Sequence, residues 1–235
     1  MLSPREAESR QAPLSSRWQG VFGFCHDGWR AVIELTPDGD LSLQGRFVDL
    51  GLWGRVHDVA ATLDADEPYR IDLAVQRFNE LPQQDFTGYA VERRYRRFAG
   101  SAYWRGEEFG FVARRGPVPL MAGFGDAVAL VDLADFPGRY FLHHAAGVTE
   151  IELSRQGNTL TARYRDGHTG ASGVARVRAG DSASHHITLD VPLAPDPIRF
   201  EGHMFTRPKN CIAGVAERAG TRMGGYLVRA DGGRR

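Results

Sequence analysis

Cysteine is nearly absent from this chain, which has two, Cys25 and Cys211, among 235 residues. Two cysteines cannot build the disulfide framework of a small secreted domain, and no Cys/His cluster has the spacing of a zinc site. Net charge is absent as well, since 29 acidic residues balance 29 basic ones. A neutral chain lacks the broad attraction that carries non-specific binding to nucleic acid. We therefore expect no metal and no nucleic-acid partner.

Long apolar runs and nucleotide-binding motifs are also missing. No stretch approaches the ~20 apolar residues of a membrane-spanning helix. The first residues, MLSPREAESRQAPLSSRW, contain acidic side chains and no apolar segment of the kind found in signal peptides. The sequence therefore predicts a cytoplasmic protein without a membrane anchor. It contains no GxGxxG before a helix, no Walker loop and no GxSxG elbow, so we expect no cofactor.

The chain does contain an internal repeat. The segment WQGVFGFCHDGWRAVIEL, starting at Trp18, returns as FPGRYFLHHAAGVTEIEL from Phe136, with a constant offset of 118 residues. The ends of the copies match in the same order: FTG (86–88) with FEG (200–202), FAG (98–100) with IAG (212–214), and GFVAR (110–114) with GYLVR (225–229). Because a repeat governs the architecture, it is the most informative feature of the sequence.

The repeat divides the chain into five parts. The copies span 17–116 and 136–230, joined by a linker over 117–135. That linker begins with Gly and Pro and then turns apolar, so we expect it to pack, with a short helix over 126–133 as one option. We expect disordered tails over 1–16 and 231–235.

Within each copy, apolar and polar residues alternate with period two between turn residues, which is typical of consecutive antiparallel strands. Helical spacing is nearly absent. In the first copy we predict strands at 18–26, 29–36, 41–48, 54–63, 69–78, 85–91, 97–105 and 108–115. In the second copy we predict them at 137–144, 148–154, 158–165, 173–179, 185–191, 198–205, 210–217 and 223–230. About eight short strands per copy predict an all-β, up-and-down barrel or curled sheet, because closure removes exposed edges.

The motif W-x-G-x-F, formed by Trp18, Gly20 and Phe22 at a strand start, is followed by a hairpin and a Gly-centred turn. This opening resembles that of calycin-type barrels such as lipocalins and avidins. The resemblance covers the first third of each copy and implies a barrel fold without implying a particular chemistry. Two closed barrels and one larger sheet assembly both fit the pattern.

The dipeptide Asp27-Gly28 is a strong signal for a two-residue hairpin, which pairs residue 26 with residue 29. One face of that hairpin is almost entirely apolar and should be the barrel interior. This face carries Trp18, Phe22, Phe24, His26, Trp29, Ala31, Ile33 and Leu35. Cys25 then points to the opposite face, which disfavours a Cys25-His26 nucleophile dyad.

Two kinds of polar residue are candidates for function. His26 and its counterpart His144 each lie at a predicted barrel mouth, either as rim histidines bonded to a loop carbonyl or as acid-base and ligand-contacting groups. The tip ERRYRR, over 92–97, and its equivalent TRPKNC, over 206–211, carry basic side chains. Those tips are either solvated hairpin ends or clamps for carboxylate and phosphate. The arginines we single out are Arg93, Arg97 and Arg207.

Three functions are compatible with these features. The first is a small-molecule binding barrel that holds a hydrophobic or aromatic ligand, either in a barrel mouth or between the two copies. Its binding residues would be Trp18, Phe22, Phe24, Trp29, Arg93, Arg97 and Arg207. The second is a cofactor-independent cyclase or isomerase whose cavity holds a reactive conformer while His26 or His144 moves a proton. The third is an interaction module whose Arg-rich tip grips an acidic partner. The sequence leaves a homo-oligomer open.

Overall fold

The computed structural model describes residues 12–27, 29–51, 54–76, 83–104, 106–116, 131–180, 185–207 and 209–230. The predicted tails over 1–11 and 231–235, and most of the predicted linker, lie outside the described residues.

A short helix precedes the first strand. This helix, α1, spans Leu14–Trp18, so ordered structure begins inside the tail predicted over 1–16. Trp18 is fully buried in the core, and Leu14 packs against the same core. The Arg115 guanidinium donates a 2.5 Å hydrogen bond to the Gln19 carbonyl just after the helix. The boundary prediction was therefore too late by a few residues, because a helical turn anchored by one tryptophan leaves no periodic signal.

Sixteen strands follow α1 in the described chain, eight in each copy. The first copy contains β1 (Gly20–His26), β2 (Trp29–Pro37), β3 (Ser42–Asp49), β4 (Arg55–Leu63), β5 (Arg70–Gln76), β6 (Gln84–Ala90), β7 (Arg97–Trp104) and β8 (Glu107–Arg115). The second contains β9 (Gly138–His144), β10 (Gly147–Gln156), β11 (Thr159–Asp166), β12 (Ser172–Ala179), β13 (His186–Val191), β14 (Ile198–Met204), β15 (Cys211–Arg218) and β16 (Thr221–Arg229).

Each copy closes into its own barrel. Within each copy, strands that follow one another in sequence pair antiparallel. Each barrel is closed by antiparallel pairing of its first and last strands, β1 with β8 and β9 with β16. The all-β, duplicated up-and-down barrel predicted from the sequence is confirmed. Of the two alternatives, two closed barrels and one larger sheet assembly, the structure has the two closed barrels. The hairpin register is confirmed too, since His26 pairs with Trp29 and Phe24 with Ala31.

One detail of the repeat needs correction. Val112 pairs with Cys25 in barrel one, and the residue that pairs with the counterpart His143 in barrel two is Tyr226. GFVAR over 110–114 therefore corresponds to residues 224–228, one position earlier than the sequence match with GYLVR. The two adjacent glycines at 224 and 225 made the wrong register look better than the right one.

The two barrel interiors are filled differently. Aromatic rings dominate the core of barrel one, where Phe24 stacks on Phe111 at 4.9 Å and meets Phe86 edge-on at 5.2 Å. Barrel two is filled mainly by aliphatic side chains around Tyr140 and Phe200. Both interiors are packed cores. Burying one such side chain contributes about 1.5–3 kcal/mol to stability.

The barrels pack side by side through a third, smaller cluster. Its buried members are Cys25, Val91, Ala99, Val112, Phe205, Cys211, Ala213 and Tyr226. A Cβ on Gly110 would lie 2.7 Å from the His203 carbonyl oxygen, and one on the equivalent Gly224 would collide with the Tyr89 carbonyl oxygen. Tyr89 is itself the counterpart of His203. The interface is therefore nearly two-fold symmetric, with glycine needed for close backbone approach on both sides.

Candidate functional site

The two-fold arrangement creates two equivalent junctions between a hairpin turn and a tip loop. In the first, the β1–β2 turn at 26–29 meets the loop at 205–210. In the second, the β9–β10 turn at 144–147 meets the loop at 91–96. The loops share a local conformation, because Tyr95 and Lys209 occupy the same position with φ of 53° and 46°. The junctions can therefore be compared residue by residue.

The first of these, which we call the closed junction, is filled by the protein's own side chains. The buried Asp27 carboxylate accepts hydrogen bonds from the Thr206 backbone N–H and, at 2.7 Å, from the Thr206 hydroxyl. The Arg207 guanidinium lies 4.3 Å from the centre of the Trp29 ring, in a cation–π contact. Burial raises the pKa of Asp27, and the two bonds from Thr206 oppose that rise. A carboxylate and an aromatic ring thus seal this side.

The second, the open junction, lacks both sealing groups. Ala145 stands at the position of Asp27 and Gly147 at that of Trp29, while Glu92 and Arg93 replace Thr206 and Arg207. A cleft of about 690 Å³ lies here between the barrels. It is lined by Tyr69, Glu92, Arg93, Arg94, His144, Ala145, Ala146, Asp196, Ile198, Ala216, Arg218, Ala219, Thr221 and Met223.

The cleft combines an apolar floor with a basic rim. Ile198, Ala216 and Met223 are buried members of the apolar interior of barrel two. Arg93 and Arg94 are exposed at the rim, and among the described residues neither has a carboxylate within ion-pair distance. The arrangement suits a molecule with an apolar body and an anionic group.

Other charges at the cleft are partly compensated. The Arg218 guanidinium lies 3.8 Å from the Asp196 carboxylate, and the Glu92 carboxylate lies 3.4 Å from the Arg97 guanidinium. Tyr69 stacks on Tyr95 with ring centroids 5.8 Å apart and forms an aromatic wall. The uncompensated charge of the cleft therefore resides on its two tip arginines.

His144 lines the cleft but has both ring nitrogens occupied. The Ala146 backbone N–H donates to Nδ1 at 3.2 Å, so the neutral ring carries its proton on Nε2, which donates to the Thr149 hydroxyl at 3.0 Å. Burial, with a smaller contribution from the Arg218 charge, lowers the pKa of His144 to about 4. The imidazole is neutral at pH 7 and holds the turn together. Its partners are a backbone N–H and a hydroxyl, whereas the structural alternative of the sequence analysis expected a loop carbonyl.

His26 occupies the equivalent end of barrel one, in a different environment. It is buried, with its ring 5.7 Å from Phe86 and 6.2 Å from Phe47. His57, Asp49 and Gln84 are buried polar residues at the same barrel end. His26 therefore belongs to the interior of barrel one and does not line the described cleft.

The aromatic candidates divide between core and junction. Trp18, Phe22 and Phe24 are fully buried among other rings, so these side chains have no exposed face to offer a ligand. Trp29 is half-buried beneath Arg207 at the closed junction. The interior of an eight-stranded barrel is just wide enough to be filled by side chains, and aromatic rings supply much of that filling in barrel one.

The basic candidates also take different places. Arg93 lines the cleft, but Arg97 donates a 3.1 Å hydrogen bond to the Tyr226 hydroxyl across the barrel interface. Arg207 closes the other junction. Cys25 lies in the interface cluster beside Cys211, whose thiol pKa is raised by burial, so neither is placed as a nucleophile next to His26.

Sequence reasoning missed most of the cleft. Tyr69 precedes β5 in barrel one, whereas Arg218 and Met223 lie on the paired strands β15 and β16 of barrel two. Only the packing of the copies brings Tyr69 next to the other two. One signal was present in the sequence: the aligned hairpins differ at Asp27 versus Ala145 and at Trp29 versus Gly147. Loss of a charge and a ring at one copy of a repeat marks the position of the cleft.

Comparison with known proteins adds little to this geometry. No protein-family model and no curated protein matches the chain. It is similar to the crystal structure of a putative outer membrane protein from Bacteroides fragilis, with 10% identity and a TM-score of 0.26, over 90% of this chain and 96% of that one.

Two further observations concern the described part of the chain. Within it, no helix is both long enough and apolar enough to cross a membrane. Nor do the described residues include three or more His, Cys, Asp or Glu side chains grouped to hold a metal ion. The cytoplasmic location stays a prediction.

Proposed function

We propose that this protein binds a small organic anion in the cleft at the open junction. The observation that carries the proposal is the pairing of an apolar floor, Ile198 and Met223, with the uncompensated rim arginines Arg93 and Arg94. Ligand sites typically combine an apolar lining with a few polar groups that fix orientation, in cavities of several hundred Å³. The cleft meets both conditions.

The cleft lies between the copies, one of the two places considered in the sequence analysis, but its lining differs from the residues expected there. A ligand inside barrel one would have to displace packed rings, whereas the cleft uses space that already exists between the barrels. Trp18, Phe22 and Phe24 then support the fold, and Arg93 is the predicted binding residue that lines the cleft. A ligand oriented by an arginine remains the leading hypothesis.

The alternatives draw less support from the geometry. An isomerase or cyclase needs a titrating group in the cavity, and both nitrogens of His144 are already hydrogen-bonded within the β9–β10 hairpin. An interaction module using the Arg-rich tip needs that tip to be free. Instead Arg97 is bound at the barrel interface and Arg93 and Arg94 face a cleft.

Native mass spectrometry of freshly purified protein, followed by organic extraction, tests the proposal. We expect a co-purifying organic acid, or binding of one from a panel of small acids. Replacing both rim arginines, Arg93→Ala with Arg94→Ala, should lower its occupancy at least tenfold. Arg96→Ala is the matched control, because Arg96 is exposed on the same loop and does not line the cleft.

Two results would contradict the proposal. One is a ligand that the double variant retains as well as the unmodified protein does. The other is the absence of any co-purifying or added acid that binds at millimolar concentration.

A further inference from the structure

The closed junction contains a carboxylate and an aromatic ring at positions that are vacant in the open junction. We infer that the ligand of the open junction is an aromatic carboxylic acid, which supplies from outside what Asp27 and Trp29 supply from within. This inference rests on the proposed function and names its ligand class. The closed junction therefore serves as the template for the open one.

The carboxylate position is defined by the backbone of the tip loop. At the closed junction the Thr206 N–H donates to Asp27. The equivalent N–H, that of Glu92, has no acceptor among the described residues. Ala145, opposite it, carries no acceptor in its side chain. A ligand carboxylate at this place would accept a hydrogen bond from that N–H and pair with the positive charge of Arg93. Hydrogen bonds to a carboxylate are strongest when the donor is charged or is a fixed backbone N–H.

The ring position is defined by the residue two further along the hairpin. Trp29 lies under Arg207 at the closed junction, whereas Gly147 leaves the corresponding place without a side chain. A Cβ built on Gly147 would meet no atom within 4 Å, so the space is open. Arg93, the counterpart of Arg207, therefore has a guanidinium face free for a ligand ring.

The rest of the cleft is consistent with a planar, partly apolar guest. Tyr69 provides an aromatic wall that is already held by stacking on Tyr95. Met223, an adaptable thioether, is buried at the floor. A volume of about 690 Å³ exceeds that of a single bicyclic acid and leaves room for bridging water.

Isothermal titration calorimetry with three matched probes separates the contributions of charge and ring. Indole-3-acetate has both, indole-3-acetamide has the ring alone, and cyclohexylacetate has the charge alone. We expect indole-3-acetate to bind about tenfold more tightly than either of the others. Equal affinity for indole-3-acetate and cyclohexylacetate, both lost in Arg93→Ala, would overturn the aromatic class while leaving the proposed anion site standing.

Two variants test the template directly. Ala145→Asp places a carboxylate where Asp27 has one and should reduce indole-3-acetate binding at least tenfold by occupying the Glu92 N–H and repelling the acid. Arg93→Ala should reduce it by a similar factor, and Arg96→Ala should leave it unchanged. Full binding by Ala145→Asp would refute the template. Failure of all three probes to bind, with no acid co-purifying, would remove the proposed function together with this inference.

Discussion

The two junctions of this molecule have the same backbone arrangement, but side chains fill one and leave the other open. Asp27 and Trp29 seal one, while Ala145 and Gly147 leave the other open as a cleft. The barrel cores also differ in the size of their side chains, because aromatic rings fill the core of barrel one and smaller aliphatic groups fill that of barrel two. A duplicated fold can therefore fill one junction with its own side chains and leave the equivalent junction open as a cleft, through differences at two hairpin positions.

The largest effect should come from the aromatic core. Phe24→Ala removes a ring that contacts Phe47, Phe86 and Phe111 and should lower the free energy of unfolding by about 3–5 kcal/mol. Leu142, its counterpart in barrel two, is equally buried, and Leu142→Ala should cost about 2–4 kcal/mol. Urea unfolding of both variants measures the difference. A smaller loss for Phe24→Ala than for Leu142→Ala would contradict the contrast between the cores.

The sequence predicts the fold better than the site, for a physical reason. Strand alternation and turn residues are local, so every strand end was predicted within two residues of its observed position. The barrel interface is not local, and its members Cys25 and Val112 lie on the outward face of β1 and β8, where alternation predicts solvent. The cleft depends on that interface, so Arg93 was predicted and Tyr69 was not.

Acid should destabilise the protein through histidines that are buried neutral. Burial lowers the pKa of His144 and His143 to about 4 and that of His203 to about 3, against 6.5 for an ordinary histidine. A lowered pKa in the folded state gives stability that is complete above pH 6.5 and is lost as pH falls toward 4. The upper limit of the contribution is on the order of 3 kcal/mol for His143 and His144 and about 5 kcal/mol for His203.

His144→Gln separates one of these contributions from the others. Chemical unfolding between pH 7 and pH 4.5 should show a shallower loss of stability in this variant than in the unmodified protein. Glutamine keeps polar atoms near Thr149 but cannot take up a proton. An unchanged slope would show that His144 is solvated or already charged, contrary to its hydrogen bonds.

Removing the Asp27 carboxylate from the closed junction should lower the free energy of unfolding by less than removing a core side chain does. Asp27→Ala removes the acceptor of two Thr206 hydrogen bonds and leaves a buried N–H unpaired, at a cost of about 1–3 kcal/mol. Ala145→Ser, a change of similar size at the equivalent open position, should stay within about 0.5 kcal/mol. Thermal unfolding of the pair measures this asymmetry. Equal effects would mean that the two junctions are alike in solution.

The smallest expected change in stability concerns the equivalent arginines of the two junctions, Arg207 and Arg93. Arg207 lies over the Trp29 ring, so Arg207→Ala should lower the free energy of unfolding by about 0.5–2 kcal/mol. At the equivalent place Gly147 stands where Trp29 stands, and the described residues put no ring against Arg93, so Arg93→Ala should change stability by less than about 0.5 kcal/mol without ligand. Adding saturating indole-3-acetate should stabilise the unmodified protein by up to about 1.4 kcal/mol more than Arg93→Ala, since a ligand stabilises the folded state according to how tightly that state binds it. A stability loss in Arg93→Ala matching that of Arg207→Ala would mean that the protein itself already occupies the ring position of the open junction.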